Sequence, residues 1–286
     1  MLVFLAVAFG IIAMLSNAFA NTFSQPLAKK LGTIPTLFLR GITVCLILGV
    51  ISIPSLYRLA NIHYALFALL LGVAGYFPAQ AFTHGVKVSR VGIIAPIAGC
   101  STLVTVLLAA TFLHAPIEPL QWAAIILVLI ANIGVSVNIK SLRESSFLQL
   151  ASGIPFAFMT AIGWGLFFFA LVYPTRHIGP WLSAFLVELG LTLTAGVHLL
   201  ISKQGVPIKH AFSKPVMMNG ICIATGTAAF VFGVSRYNAG IVASLNTATA
   251  LPSVLLAAYY FKERLSRVEI VAAATMIVGV VLVSAP

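Results

Sequence analysis

Apolar residues run along this chain in long blocks that short polar stretches separate. Ten blocks approach or exceed about 20 residues, the length with which an α-helix crosses the hydrocarbon layer of a bilayer. They cover residues 2–23, 34–53, 64–84, 91–113, 119–139, 148–173, 180–201, 215–235, 239–261 and 267–284. The pattern therefore predicts an all-α integral membrane protein with ten transmembrane helices.

The chain also repeats itself. Residues 107–125 read LLAATFLHAPIEPLQWAAI and residues 255–273 read LLAAYYFKERLSRVEIVAA, at an offset of 148 positions. The same offset aligns GIIA at 92–95 with GIVA at 240–243. A fixed internal period indicates a duplicated fold.

We divide the chain into a first five-helix repeat at 1–139, a polar linker at 140–147 and a second five-helix repeat at 148–286. Because five is an odd number, the second repeat must begin on the opposite side of the membrane. The two repeats are therefore predicted to be inverted relative to each other.

Basic residues outside the predicted helices agree with this orientation. Twelve Lys and Arg residues lie on one side of the membrane and three on the other. The twelve are Lys29, Lys30, Lys87, Arg90, Lys140, Arg143, Lys203, Lys209, Lys214, Lys262, Arg264 and Arg267; the three are Arg58, Arg176 and Arg236. The positive-inside rule assigns the more basic side to the cytoplasm and both termini to the outside of the cell membrane.

Composition supports a membrane protein and removes several classes of function. Hydrophobic residues make up 61% of the chain and charged residues 7%, against about 25% charged in soluble domains. The net charge of +11 lies almost wholly in loops, so it indicates topology rather than a nucleic-acid partner. The chain has no Asp, no G-x-S-x-G or H-E-x-x-H motif and no metal-ligand spacing. We expect no enzyme, no metal and no cofactor.

The last two predicted helices carry a family resemblance. Residues 240–269 contain GIVASL, PSVLLA and KERLS followed by Glu269. This hairpin resembles the EamA-like branch of the drug/metabolite transporter (DMT) superfamily, with Glu263 in its loop. Trp164-Gly165 and Arg40 resemble residues of the first and second helices of the family repeat. The resemblance implies a ten-helix carrier of small metabolites, often exported through a cavity between two inverted repeats.

The first repeat departs from the family pattern at two places. Ala115 stands where the loop Glu would be, and Phe19-Ala20 stands near the position of Trp-Gly. Family members of this kind are usually described with both termini inside, whereas the loop charges here predict both termini outside. The two topologies remain alternatives at this point.

Polar and aromatic residues recur at helical spacing within the predicted helices. They are Asn17 and Asn21 in the first, Tyr76, Gln80 and His84 in the third, Ser101 in the fourth, Trp164 and Phe168 in the sixth, and Asn246 and Thr249 in the ninth. A single polar stripe can join two helices by hydrogen bonds. Because five helices carry such stripes or faces, we favour a shared substrate cavity.

Two charged residues lie deep within predicted helices, where a charge is costly. Glu188 is predicted either to couple transport to protons or bind a substrate amine, or to be a structural carboxylate. Arg40 aligns with Glu188 at the repeat offset and can also serve a structural role by reaching the basic loop. By symmetry the two should differ in depth by about 12 Å, which disfavours a direct salt bridge. Pro96 and Pro252 predict breaks in the fourth and ninth helices.

These features predict a secondary transporter that works by alternating access. A phosphorylated substrate would need more than one interior cation, so an amino acid or related amphipathic solute is the favoured cargo. We expect it to be exported, and proton coupling is one of the roles left open for Glu188. A passive channel and, less favoured, an intramembrane enzyme are the alternatives. The expected partners are the solute, protons and the bilayer, in a monomer or a homodimer.

Overall fold

The computed structural model describes residues 2–112, 153–205, 208–237, 248–262 and 267–284, with positions 119, 122, 123, 126, 127, 130, 131, 242, 245 and 246. Its α-helices are α1 (Leu2–Leu31), α2 (Thr33–Ser52), α3 (Ile62–Val88), α4 (Val91–Gly99), α5 (Ser101–Phe112), α6 (Ile154–Ile178), α7 (Pro180–Ile201), α8 (Lys214–Arg236), α9 (Ala250–Phe261) and α10 (Arg267–Ser284). Among the described residues, the 3₁₀ segment Ile53–Ala60 follows α2, and the 3₁₀ segment Ile208–His210 precedes α8. The predicted linker at 140–147 lies outside the described residues.

Within the described part of the chain, seven helical stretches are long and apolar enough to cross a membrane. They match predicted helices one to four and six to eight, with α4 and α5 together forming the fourth. The prediction of an all-helical membrane protein is confirmed at this level, while the count of ten remains a prediction. The short helix α9 and the helix α10 fall within the predicted ninth and tenth helices.

The outer surface is apolar, as a lipid-facing surface must be. Large side chains such as Phe4, Leu200 and Ile201 are 73%, 76% and 74% exposed. In water this exposure would be unfavourable, but acyl chains cover such side chains at no cost. Polar side chains are instead found between helices, where Thr160 donates a hydrogen bond to the Pro78 carbonyl at 3.2 Å.

Helix contacts reproduce the duplication. The contact of α1 with α8 has its counterpart in that of α6 with α3, and the contact of α3 with α7 has its counterpart in that of α8 with α2. Likewise, α5 contacts α6 as its equivalent α9 contacts α1, while α2 contacts its own equivalent, α7. The helices of the two repeats are therefore interleaved around a common centre.

The direction of α2 and α7 shows that the repeats are inverted. Gly41 lies against Thr192, Gly49 against Phe185, and Phe38 against Gly196. Because positions rise along α2 as they fall along α7, the two equivalent helices are antiparallel. A duplication with five helices in each copy requires this arrangement.

Glycine permits the closest helix crossings. A Cβ atom on Gly72 of α3 would lie 2.0 Å from the Val187 carbonyl oxygen of α7. The equivalent glycine of the second repeat, Gly220 of α8, would place a Cβ atom 3.0 Å from the Arg40 carbonyl oxygen of α2. Small residues that let two backbones approach are typical of helix packing in membranes.

The fourth and ninth predicted helices are interrupted at equivalent points. α4 ends at Gly99 and α5 begins at Ser101, while Ala248 and Thr249 form a turn before α9. Ala248 stands 148 positions after Cys100, the residue between α4 and α5. The prolines themselves are not equivalent, since Pro96 precedes the first interruption and Pro252 follows the second. Pro252 has no N–H to donate to the Ala248 carbonyl, which accepts from the Leu251 N–H at 3.0 Å instead.

Candidate functional site

A cavity of about 140 Å³ lies at the centre, where helices of both repeats meet. Nine of the residues singled out from the sequence line it. They are Asn17, Asn21, Arg40, Ser101, Trp164, Phe168, Glu188, Asn246 and Thr249. An apolar cavity of about 150 Å³ is large enough to bind benzene, so the space suits a small organic solute.

The polar residues predicted on α3 lie on a different face of that helix. Gly75, Ala79 and Phe82 line the cavity, whereas Tyr76 and Gln80 do not. The small side chains of Gly75 and Ala79 leave open volume, which larger polar side chains would fill. The structure therefore brings α3 to the cavity through a different face from the one that carries Tyr76, Gln80 and His84.

Two of the predicted residues of α3 that do not line the cavity contact neighbouring helices. Tyr76 is buried, and its hydroxyl group lies 2.7 Å from Nδ1 of His198 on α7. His84 packs its ring against Phe156 of α6, with 4.6 Å between the ring centroids. Tyr76 and His84 thus contact neighbouring helices, as the alternative interpretation of polar stripes holds.

The two charged residues share the cavity. Arg40 of α2 is 8% exposed, Glu188 of α7 is half-buried, and their charges interact. By interpolation between the contacts of these antiparallel helices, Arg40 is level with about residue 193, five positions from Glu188. Five residues of helix rise correspond to about 8 Å, which is less than the separation of about 12 Å expected from symmetry. Opposite charges that line one cavity compensate each other.

Glu188 has a direct hydrogen-bond donor. The Thr227 hydroxyl group of α8 donates to Oε1 of Glu188 at 3.2 Å, and Thr227 also lines the cavity. Sequence reasoning missed this residue. A signal was present, because Asn219, Ile223, Thr227 and Phe230 recur at helical spacing on one face of α8.

Amide groups form another part of the lining. Nδ2 of Asn17 donates to Oδ1 of Asn246 at 2.9 Å, which ties α1 to the interrupted ninth helix. The carbonyl oxygen of Asn246 accepts from the Thr249 hydroxyl group within that interruption. Gly226 lies directly beside the Asn17 amide, where a Cβ atom would be 2.4 Å from Oδ1. This glycine therefore leaves the space that the amide pair occupies.

Aromatic rings form a wall of the cavity. Trp164, Phe167 and Phe168 come from α6, Phe82 from α3 and Phe230 from α8. The ring centroids of Phe82 and Trp164 are 5.1 Å apart, as are those of Phe168 and Phe230. Rings at this spacing support one another, so the wall presents a continuous apolar surface. Phe82 and Phe230 were not identified from the sequence.

The arrangement offers groups for binding rather than for covalent chemistry. One carboxylate, one guanidinium, three amides and several hydroxyl groups face the same space as the aromatic wall. Among the described residues, no cluster of three His, Cys, Asp or Glu side chains could hold a metal ion. Together, these features define a polytopic membrane protein with a cavity of polar and aromatic lining between two inverted repeats.

Comparison with known families identifies the class more closely. The model of the EamA-like transporter family matches the chain twice, at residues 4–137 and 151–285. The chain belongs to this family, so the resemblance seen in the sequence is confirmed. It is accordingly a multi-pass membrane transporter of small solutes, from a family of transporters rather than enzymes.

Solved structures share the fold. A crystal structure of another protein matches with a TM-score of 0.69 over 97% of this chain and 94% of that chain, at 17% sequence identity. At this identity the likeness concerns the fold alone. No curated protein sequence matches the chain.

Proposed function

We propose that this protein is a secondary transporter that exports an amino acid or a related amphipathic solute across the cell membrane by alternating access. The observation that carries the proposal is the composition of the central cavity. Glu188, Arg40 and the Asn17–Asn246 amide pair share it with the aromatic wall. Such a site is complementary to a solute with charged and apolar parts.

The two charges favour a zwitterionic cargo. Glu188 is suited to a substrate ammonium group, and Arg40 to a substrate carboxylate, with which a guanidinium makes paired hydrogen bonds. The two residues are offset by about 8 Å along the helices and line the same cavity, so both can contact one small solute. Phosphorylated solutes are disfavoured, because Arg40 is the one cation among the lining residues described.

The inverted repeats supply a mechanism for alternating access. In two inverted copies, a conformation open to one side has an equivalent conformation open to the other side. The interruptions at Cys100 and at Ala248–Thr249 adjoin the cavity, since Gly99, Ser101 and Thr249 line it. Movement there would change the cavity without separating the close crossings at Gly72 and Gly220.

Glu188 is the proposed coupling residue. A carboxylate within a membrane can be neutralised by a proton or by a cationic substrate, and both changes alter its interaction with Arg40. Exchange of a proton for the substrate at this position would link outward solute movement to the proton gradient. The basic side of the chain is proposed to face the cytoplasm, with both termini outside.

Proteoliposome transport tests the proposal. We expect purified protein to catalyse saturable flux of at least one amino acid from a panel of radiolabelled solutes. Unlabelled solute on the opposite side should accelerate that flux by counterflow. Flux that rises linearly with concentration and shows no counterflow would support a passive channel instead.

A further inference from the structure

The last turns of α3 recur closely in the second repeat. Residues 81–86 read AFTHGV and residues 229–234 read AFVFGV, at the same offset of 148 positions. Within these stretches, Phe82 and Phe230 both line the central cavity. Each stands six residues before the end of its helix, which is α3 for Phe82 and α8 for Phe230. The two phenylalanines are therefore equivalent residues of the two repeats.

These two phenylalanines lie toward opposite ends of the cavity. Because the repeats are inverted, the equivalent helices α3 and α8 run in opposite directions. Accordingly, Lys87 stands in the last turn of α3, whereas Lys214 is the first residue of α8, and both lie at the end of the molecule that we call the basic end. Six residues of helix rise place Phe82 about 9 Å from the basic end and Phe230 about 9 Å from the opposite end.

Phe82 also belongs to an apolar cluster at the basic end. The cluster contains Val91 and Ile94 of α4, Ile154 of α6 and Ala257 of α9. These residues lie near the starts of α4 and α6 and near the end of α9, so the cluster lies between the cavity and the basic end. Both repeats contribute to it.

Phe230 has the corresponding place at the opposite end. It belongs to an apolar cluster that contains Ala6 of α1, Ile178 of α6, Leu182 of α7 and Val242. The first three of these residues lie near the start of α1, at the end of α6 and near the start of α7. Residues of both repeats therefore also lie between the cavity and this end.

The contact next to each phenylalanine is matched as well. Three positions further on, Gly85 lies against Ile94, where a Cβ atom would be 3.2 Å from Cγ2. In the second repeat, Gly233 lies against Val242, the equivalent of Ile94, where a Cβ atom would be 3.0 Å from Cγ1. Each glycine lets the end of one helix pack closely on the next helix. Movement of that next helix would therefore shift the turn that carries the phenylalanine.

We propose that Phe82 and Phe230 are the two gates of the central cavity. Phe82 closes the cavity toward the basic end by packing on Trp164, and Phe230 closes it toward the opposite end by packing on Phe168, each at 5.1 Å between ring centroids. Both phenylalanines are buried, at 2% and 7% exposure. The inference rests on the proposed function, because alternating access requires a closure at each end that opens in turn.

Thiol labelling from the two faces of sealed vesicles tests the assignment. The reporter is Ser101→Cys, at a position that lines the cavity, in the full chain with its three native cysteines replaced by Ala. A charged, membrane-impermeant methanethiosulfonate is applied to one face at a time. In separate proteins, exposed Lys30 and exposed Arg176 are replaced by Cys, and their labelling identifies the basic face and the opposite face.

We expect Phe82→Ala to speed labelling of the reporter about tenfold from the basic face and not from the opposite face, because one aromatic pair contributes a factor of about this size. Phe230→Ala should do the reverse. Phe77→Ala removes a ring of α3 that is 61% exposed, and it should leave both rates unchanged. If an Ala variant does not fold, Leu at the same position should give about a threefold increase from the same face.

The face from which labelling speeds up separates a gate from a packing residue. A packing defect would raise labelling from both faces, so that result, or unchanged rates in the variants that fold, would overturn the assignment. Labelling requires no solute. Side-specific rates in a protein without saturable flux would therefore support the gates and reject the proposed transport, whereas saturable flux without side-specific rates would reject the gates alone.

Discussion

The two repeats share a backbone arrangement but place unlike side chains around the common cavity. Arg40 of α2 and Glu188 of α7 occupy equivalent positions, 148 residues apart, and both line the cavity. A symmetric pair of like charges would repel across this space. The opposite pair instead balances its charge and gives the cavity two chemically different ends.

The same contrast holds for the first helix of each repeat. Asn17 and Asn21 of α1 line the cavity, while the equivalent positions in α6 are Gly165 and Phe169, beside Trp164 and Phe168. The α1 side is therefore amide-rich, and the α6 side is aromatic. Duplication supplies a symmetric framework, and later divergence of the side chains makes a site that is complementary to an asymmetric solute.

The largest expected effect comes from adding a methyl group at the close helix crossings that both repeats share. We predict that Gly72→Ala lowers the free energy of unfolding by about 1–3 kcal/mol, because its methyl group would overlap the Val187 carbonyl oxygen. Gly220→Ala should cost less, since the nearest atoms belong to the side chain of Thr43. Thermal unfolding in detergent would compare the two, and a smaller loss in Gly72→Ala would contradict the packing described for α3 and α7.

The second prediction concerns the opposite charges. We expect Glu188→Gln to abolish the dependence of transport on a pH gradient and to lower the initial rate about tenfold or more, since hydrogen-bonded charged groups contribute about 1.5–3 kcal/mol. The variant should remain folded, because an amide can still accept the Thr227 hydrogen bond. Initial rates in proteoliposomes with imposed and collapsed gradients provide the measurement. A gradient response equal to that of the wild type would reject the coupling role.

The third prediction separates the polar side from the aromatic side. Asn17→Ala loses a 2.9 Å hydrogen bond and should raise KM about threefold for all transported solutes. Phe168→Ala should raise KM about fivefold to tenfold for solutes with large apolar groups, and much less for small polar ones. Transport of a solute panel by both variants gives the comparison. If both variants show the same selectivity profile, the amide-rich side and the aromatic side do not recognise different parts of the solute.

Whether a feature of this structure can be predicted from the sequence depends on the kind of sequence pattern that produces it. The duplication and its inversion follow from an offset and an odd number of helices, and local periodicity places Asn17, Trp164 and Glu188 in suitable helices. Periodicity alone does not select the face that remains open, which depends on the volume of neighbouring side chains. Tyr76 was therefore assigned to the cavity, where Gly75 and Ala79 in fact leave the space.

The smallest expected effect belongs to Thr227, which sequence reasoning did not identify. Thr227→Val keeps the shape of the side chain but removes the 3.2 Å hydrogen bond to Glu188. We expect about a twofold rise in KM for solutes with an ammonium group, because one neutral hydrogen bond contributes about 0.5 kcal/mol. Thr227→Ser keeps the hydroxyl group and should behave as the wild type. If Thr227→Val and Thr227→Ser alter KM equally, packing at this position is responsible, and Thr227 does not orient the carboxylate.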